Sequence, residues 1–376
     1  MAESWPKEGP KKVWERDVGQ GFSGPVVAEG KLILFHRLDE KEVVESLDAR
    51  SGKPLWRFEY PTSYRDDFGF DEGPRATPAV SDGRIYTFGA EAKLKCLDLT
   101  TGSNYWTVDV RKEFESPKGF FGFACSPLVE GKSVLLNAGG KQGAGIVAFD
   151  KANGKLLWKS SDDEASYSSP ITASMHGKRC VLFVTRTTLT ATDIETGTVL
   201  WSTPFRPSTR TSVSAASPVL VDDCVFISGA YGTGAELLQI SEKGAKKIWS
   251  SDDAISSHYA TAVASKAFLF GIHGRTDPSF EPAGLRCIEL KTGKLRWEEK
   301  SFGAATLTLA GDRLLILTER GELILAPAAS DGFKVLARAQ ILPNQVRAYP
   351  ALVDGFFYAR SKNKLVCLDL RQKQAQ

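Results

Sequence analysis

The chain has 376 residues, 42% hydrophobic and 25% charged, and no apolar run approaches the ~20 residues that a membrane-spanning helix needs. Its 48 Lys and Arg against 45 Asp and Glu leave a formal net charge of +3 with no basic block, which removes nucleic acid from the expected partners. The length would hold two or three ordinary domains, but one repeat runs from end to end and argues for a single closed unit over 1–376.

The first residues, Met1-Ala-Glu-Ser-Trp-Pro6, lack the basic and apolar regions of a secretory signal, as in a cytoplasmic protein or the mature form of an exported one. Lys11-Lys-Val-Trp14-Glu15 then reads as a strand. From there one plan recurs: a Ser/Thr/Gly-Pro strand, a tight turn, an apolar strand, a strand ending near Leu-Asp, a polar Gly turn, and a strand carrying Trp. The last three parts form an Asp-x-x-x-Gly-x-x-x-Trp phrase, seen at Asp48/Gly52/Trp56, Asp98/Gly102/Trp106, Asp150/Gly154/Trp158 and Asp193/Gly197/Trp201. Gly244 stands one place off before Trp249, Glu289/Gly293/Trp297 keeps the spacing, and Ala328–Leu336 is a degenerate copy without Trp.

The opening phrases are Gly24-Pro25, Thr77-Pro78, Ser126-Pro127, Ser169-Pro170, Ser217-Pro218, Thr261-Ala262, Thr306-Leu307 and Tyr349-Pro350. A repeat of roughly 40–50 residues with strand periodicity and Gly-rich hairpin turns predicts an all-β, eight-bladed β-propeller of four-stranded antiparallel sheets. Nothing sustains a helical period. After Tyr349 only three strands remain, so residues 11–16 are expected to complete the last blade with 346–370, closing the ring and covering open sheet edges. Trp14, Trp56, Trp106, Trp158, Trp201, Trp249 and Trp297 are read as structural docking residues, each ring between two blades with its indole N–H on a backbone acceptor. Cys96, Cys287 and Cys367 precede third-strand Leu-Asp or Ile-Glu pairs, and Cys180 and Cys224 open second strands. Separate blades hold them apart, so they are read as buried apolar side chains rather than disulfides.

Long segments gather on one face of the predicted ring: Tyr60–Pro74, Arg111–Gly122, Asn137–Gly145, Ser228–Gly234 and His273–Gly284. A repeat protein keeps its binding site on such a face, unless the loops only plug the channel mouth. Two places before each opening Ser or Thr stand the channel-end residues Phe22, Arg75, Ala124, Tyr167, Ala215, Tyr259, Ala304 and Arg347, with His258 beside Tyr259. Arg75 and Arg347, flanking Phe22, suit a small anionic group or a glycan, with Tyr167, Tyr259 and Phe22 as stacking walls. The competing reading pairs both arginines with loop acids such as Asp66, Asp67, Asp71 or Glu72.

The docking phrase resembles that of the quinoprotein-type propellers built from pyrroloquinoline-quinone (PQQ) repeats, over nearly the whole chain. The resemblance implies a periplasmic or secreted protein. Some relatives are alcohol or sugar dehydrogenases that hold PQQ with Ca²⁺; another is the lipoprotein of the barrel-assembly machinery, which implies a monomeric binding or scaffolding protein that takes a partner peptide. The dehydrogenases typically stack PQQ on a vicinal Cys-Cys disulfide and ligate Ca²⁺ with acids. This chain has no adjacent cysteines and no acid in its inner ring, leaving only the loop acids Asp66, Asp67, Asp71, Glu72, Asp277 and Glu281. No metal site or catalytic residue is therefore assigned. Asn137–Gly145 looks like a phosphate cradle but joins two strands, so it is read as a hairpin loop. His36, His176, His258 and His273 lack metal-ligand spacing with any Cys, and no Gly-x-Ser-x-Gly elbow is present.

Overall fold

The computed structural model describes residues 4–6, 8–175, 177–205, 213–276 and 282–371. Their strands form eight four-stranded antiparallel sheets. Blade one comprises Val26–Ala28, Lys31–Leu38, Lys41–Asp48 and Pro54–Pro61, and the next six blades repeat that meander in chain order. The first strands of neighbouring blades touch and line the channel. Second and third strands are packed by a blade on each side, so they read as unbroken apolar runs such as Leu32–Phe35. Outermost strands have one wet face and alternate, with Trp106 buried between exposed Tyr105 and Thr107.

The N-terminal strand Lys11–Asp17 pairs antiparallel with Lys364–Asp369, placing Trp14 opposite Cys367 and completing blade eight with Ala351–Val353 and Phe356–Arg360. The closure expected from the sequence is thus the one observed.

The repeated phrase has a direct physical meaning. Its Asp accepts turn amides, as Asp98 does from Thr100 at 2.9 Å and Thr101 at 2.7 Å, which folds the chain into a left-handed residue at the Gly. That Gly lies flat beneath the Trp of the preceding blade; a Cβ at Gly197 would fall 2.3 Å from Trp158. The indoles of Trp14, Trp56, Trp106, Trp158, Trp249 and Trp297 donate to the carbonyls of Ala49, Leu99, Lys151, Ile194, Leu290 and Ala329. Trp201 is the exception: its buried N–H has no acceptor among the described residues, and the turn it meets is the one with the displaced Gly244.

The opening Ser and Thr residues link blades around the channel. Gly24 N–H donates to Thr77, Thr77 N–H to Ser126, Ser126 N–H to Ser169, and Ser217 N–H to Thr261. Thr261 N–H then donates to the Tyr349 hydroxyl, so blade eight reaches blade six past blade seven. Blade seven is irregular elsewhere too: its outer strand is Ala337–Gln340 and carries no Trp. Trp5 packs instead against the core shared by blades seven and eight, as Leu336 and Leu352 also do.

Two local expectations need correction. Val110–Phe114 forms one helical turn, capped by Asp109 accepting from Lys112 N–H, where no helix was expected. The Ser228–Gly234 segment is a tight connection, because the flanking strands extend to Gly229 and from Gly234. All six cysteines are unpaired, and five are buried.

Candidate functional site

The loop-rich face is built around Arg75 and Arg347, which both lie beside the Phe22 ring, at 5.8 Å and 5.4 Å from its centroid. Their fates differ. Arg75 donates through Nη2 to the Asp66 carboxylate at 2.8 Å and to Asp71 O at 3.0 Å, and through Nη1 to the Tyr64 hydroxyl at 3.4 Å. Its side chain is 11% exposed and that of Asp66 is 0%. Asp66 also accepts from Phe68 N–H and Asp71 N–H, so this pair folds the 60–74 loop back onto the ring. For Arg75 the loop-acid reading is the observed one.

Arg347 pairs with Glu319, an acid outside the set expected from the sequence, which arrives at the end of the second strand of blade seven. The contact uses Nε alone, at 2.6 Å, and neither terminal nitrogen makes a hydrogen bond among the described residues. The pair is about a quarter exposed on each side. Phe22, Phe70 and Tyr259 surround its guanidinium at 5.4, 5.4 and 5.8 Å. The hydroxyl of Tyr259 is sealed from solvent yet has no partner among the described residues. Desolvation, reinforced by the Glu319 charge, pushes that phenol above its ordinary range and keeps it a donor.

Tyr167 stands on the other flank. Its hydroxyl accepts from Phe121 N–H at 3.2 Å, and its ring lies 5.7 Å from that of Phe121. His258 neighbours Tyr259 as expected, but its nitrogens contact the Tyr231 and Thr276 hydroxyls, both at 2.9 Å, which ties it to the rim. His36 and His273 each accept a backbone N–H, from Gly19 and Ser256, as structural residues. His176 lies outside the described residues.

Sequence reasoning missed a cluster of aromatic loop residues. Phe68 and Phe70 from one loop meet Phe120 and Phe121 from the next, with centroid separations of 5.4–6.3 Å. Phe68 is 59% exposed, Phe70 48% and Phe120 38%. The available signal was the pairs Phe68-Gly-Phe70 and Phe120-Phe121 inside long polar loops, which have no core of their own to enter.

Among the described residues no three His, Cys, Asp or Glu side chains are placed to share a cation. Asp66 is committed to Arg75, Asp67 to Lys118, and Glu72 faces Arg37 and Arg65, while Asp277 and Glu281 lie outside the described residues. Among the described residues, the Arg347 guanidinium suits a single carboxylate and no oxygen cage for Ca²⁺ is formed.

Residues 40–299 match the family model described as outer membrane protein assembly factor BamB. The chain belongs to that family of PQQ-repeat propellers. Its similarity to curated proteins divides two ways. It is 29% identical over 152 residues to the quinohemoprotein alcohol dehydrogenase ADH-IIG of Pseudomonas putida, which is 39% of this chain and 20% of that one. It is 26% identical over 159 residues to BamB of Moranella endobia, 40% of this chain and 37% of that one. The chain thus matches about a fifth of the dehydrogenase and under half of the assembly factor. BamB from Moraxella catarrhalis superposes with a TM-score of 0.68 over 97% of this chain and 99% of its own, at 16% identity. A europium-containing methanol dehydrogenase gives 0.70 over 94% and 85%, at 13% identity. Those likenesses fix the propeller fold. No described helix is long and apolar enough to cross a membrane.

Proposed function

We propose that this propeller is an exported binding or scaffolding protein, working as a monomer, that takes a carboxylate-bearing ligand or partner segment at the loop-rich mouth of its channel. The observation carrying this is Arg347, whose two terminal nitrogens are unclaimed among the described residues while Phe22, Phe70 and Tyr259 wall it in. A carboxylate there would accept both guanidinium N–H groups. Export is supported by the description of the matched family as an outer membrane assembly factor.

The second reading, a PQQ-dependent dehydrogenase, is supported by the names of the curated relatives. It needs a carboxylate base free to reach a substrate proton; among the described carboxylates at the mouth Asp66 and Glu319 are engaged by arginines, while buried Asp71 keeps one oxygen without a hydrogen-bond partner.

Calorimetric titration separates the readings. N-acetylphenylalanine is expected to bind, its carboxamide analogue is not, and Arg347→Met should weaken the acid by roughly 1.5–3 kcal/mol, the worth of a charged hydrogen bond. Binding of the acid that ignores Arg347→Met would refute the anion site. Tight binding of PQQ that requires Ca²⁺ would favour the dehydrogenase and call for a dye-linked substrate screen.

A further inference from the structure

The four phenylalanines above the mouth are held in place from every side. Arg37, fully inside the blade, donates to Tyr64 O at 2.7 Å and Glu72 O at 3.1 Å, clamping both ends of the 60–74 loop. Lys118 crosses from the neighbouring loop to Arg65 O at 2.8 Å and the Asp67 carboxylate at 2.6 Å. Lys362 of blade eight donates to Phe70 O at 3.2 Å. Phe121 is fixed through its N–H by Tyr167. Rings on so braced a backbone stay exposed at a cost in water contact, which marks them as an interaction surface.

We infer that Phe68, Phe70, Phe120 and Phe121 together with Arg347 form a docking platform for an extended peptide segment of a partner protein, one that sets an aromatic side chain on the rings and an adjacent carboxylate on the guanidinium. This rests on the anion-site reading of Arg347 and names its occupant. Charge and area both select that occupant. Arg347 lies 5.4 Å from the Phe70 ring, so its guanidinium and the apolar surface are contiguous. Lys118 is neutralised by Asp67, and Lys362 is held between Phe70 O and the Asp71 carboxylate, whereas the Arg347 guanidinium keeps its terminal donors for a partner. Taking about 200 Å² for a phenylalanine side chain, the three exposed rings offer about 300 Å². A second copy of this chain would need roughly 800 Å² a side. A short peptide with one or two anchors needs no more than the platform provides.

The probe is a fluorescein-labelled peptide, Gly-Ser-Glu-Phe-Glu-Phe-Ser-Gly, read by anisotropy against the full chain. The platform predicts saturable binding, weakened about ten-fold by Phe68→Ser with Phe70→Ser and about ten-fold by Arg347→Met. Peptides with Phe replaced by Ser, or Glu by Lys, should lose affinity to a similar degree. These surface changes leave the core intact, and an unchanged urea midpoint for the Phe variant checks that. Binding that responds to Arg347→Met and ignores the Phe variant would leave the anion site standing and overturn the platform. No binding by wild-type protein, or equal binding of the Phe-to-Ser peptide, would overturn it too. Sedimentation showing a dimer lost in the Phe variant, or phosphatidylglycerol vesicles captured only by wild type, would assign the surface to self-association or to lipid.

Discussion

Two arginines that stand at equivalent places in their repeats should fail differently when removed. Arg75→Met strips the partner from Asp66, whose carboxylate has no exposed side-chain surface. Breaking a buried ion pair by deleting one member costs about 3–5 kcal/mol, because the other charge is left desolvated. Asp66 keeps the N–H groups of Phe68 and Asp71, so the lower end, about 3 kcal/mol, is expected. Arg347→Met breaks a pair that is 26% and 27% exposed, for which about 0–1 kcal/mol is expected. Urea unfolding followed by tryptophan fluorescence measures both, compared as shifts in midpoint at a common slope. Adding Asp66→Asn to Arg75→Met should recover part of the loss by removing the stranded charge. Equal midpoints for the two single variants, or no recovery in the double, would refute the division of labour drawn between the arginines.

Gly197→Ala and Gly30→Ala separate backbone strain from docking, since both have φ near +71° and only Gly197 meets a ring. The second should cost about 1–2 kcal/mol and the first clearly more, because Trp158 must shift; equal midpoints would contradict the docking role. Trp158→Phe should destabilise more than Trp201→Phe, by about 1 kcal/mol, since only Trp158 has an indole acceptor to lose; the reverse order would show that Trp201 finds a partner. His36 is held down to about 3 by burial and by Arg360, Arg16 and Arg57, even though Glu45 lies 3.5 Å away, because Arg16 takes the same Glu45 oxygen. A base whose folded pKa is depressed contributes stability fully present above about 6.5 and lost as the pH falls toward 3. The margin of wild type over His36→Gln should therefore shrink between pH 7 and pH 4, and a constant margin would show that His36 charges freely in the fold.

How much was legible follows the period of the sequence. Blade count, Trp docking and closure by Lys11–Asp17 all rest on features repeated in register, and each blade sees nearly the same neighbours, so one local rule holds eight times. The rule failed where the spacing broke: at Gly244, before which Trp201 lost its acceptor, and in blade seven, where Trp5 packs into the interface that lacks a repeat Trp. The residues around the mouth were found as a ring of positions, since strand register places Phe22, Arg75, Tyr259 and Arg347 at the channel end. Their chemistry was not readable. Asp66 reaches Arg75 through a loop turned back by its own hydrogen bonds, and Glu319 reaches Arg347 across the blade seven–eight boundary.

The sequence alone determined the ring, because hydrophobic alternation and a Gly that must lie under a Trp repeat with the period of the blade. Tertiary structure decided which arginine is spent on the scaffold and which remains open. It also decided that two loops, remote in sequence, bring four phenylalanines together, three of them in the open. Loop backbones follow no period, and the carboxylate nearest each guanidinium is chosen by how those loops pack.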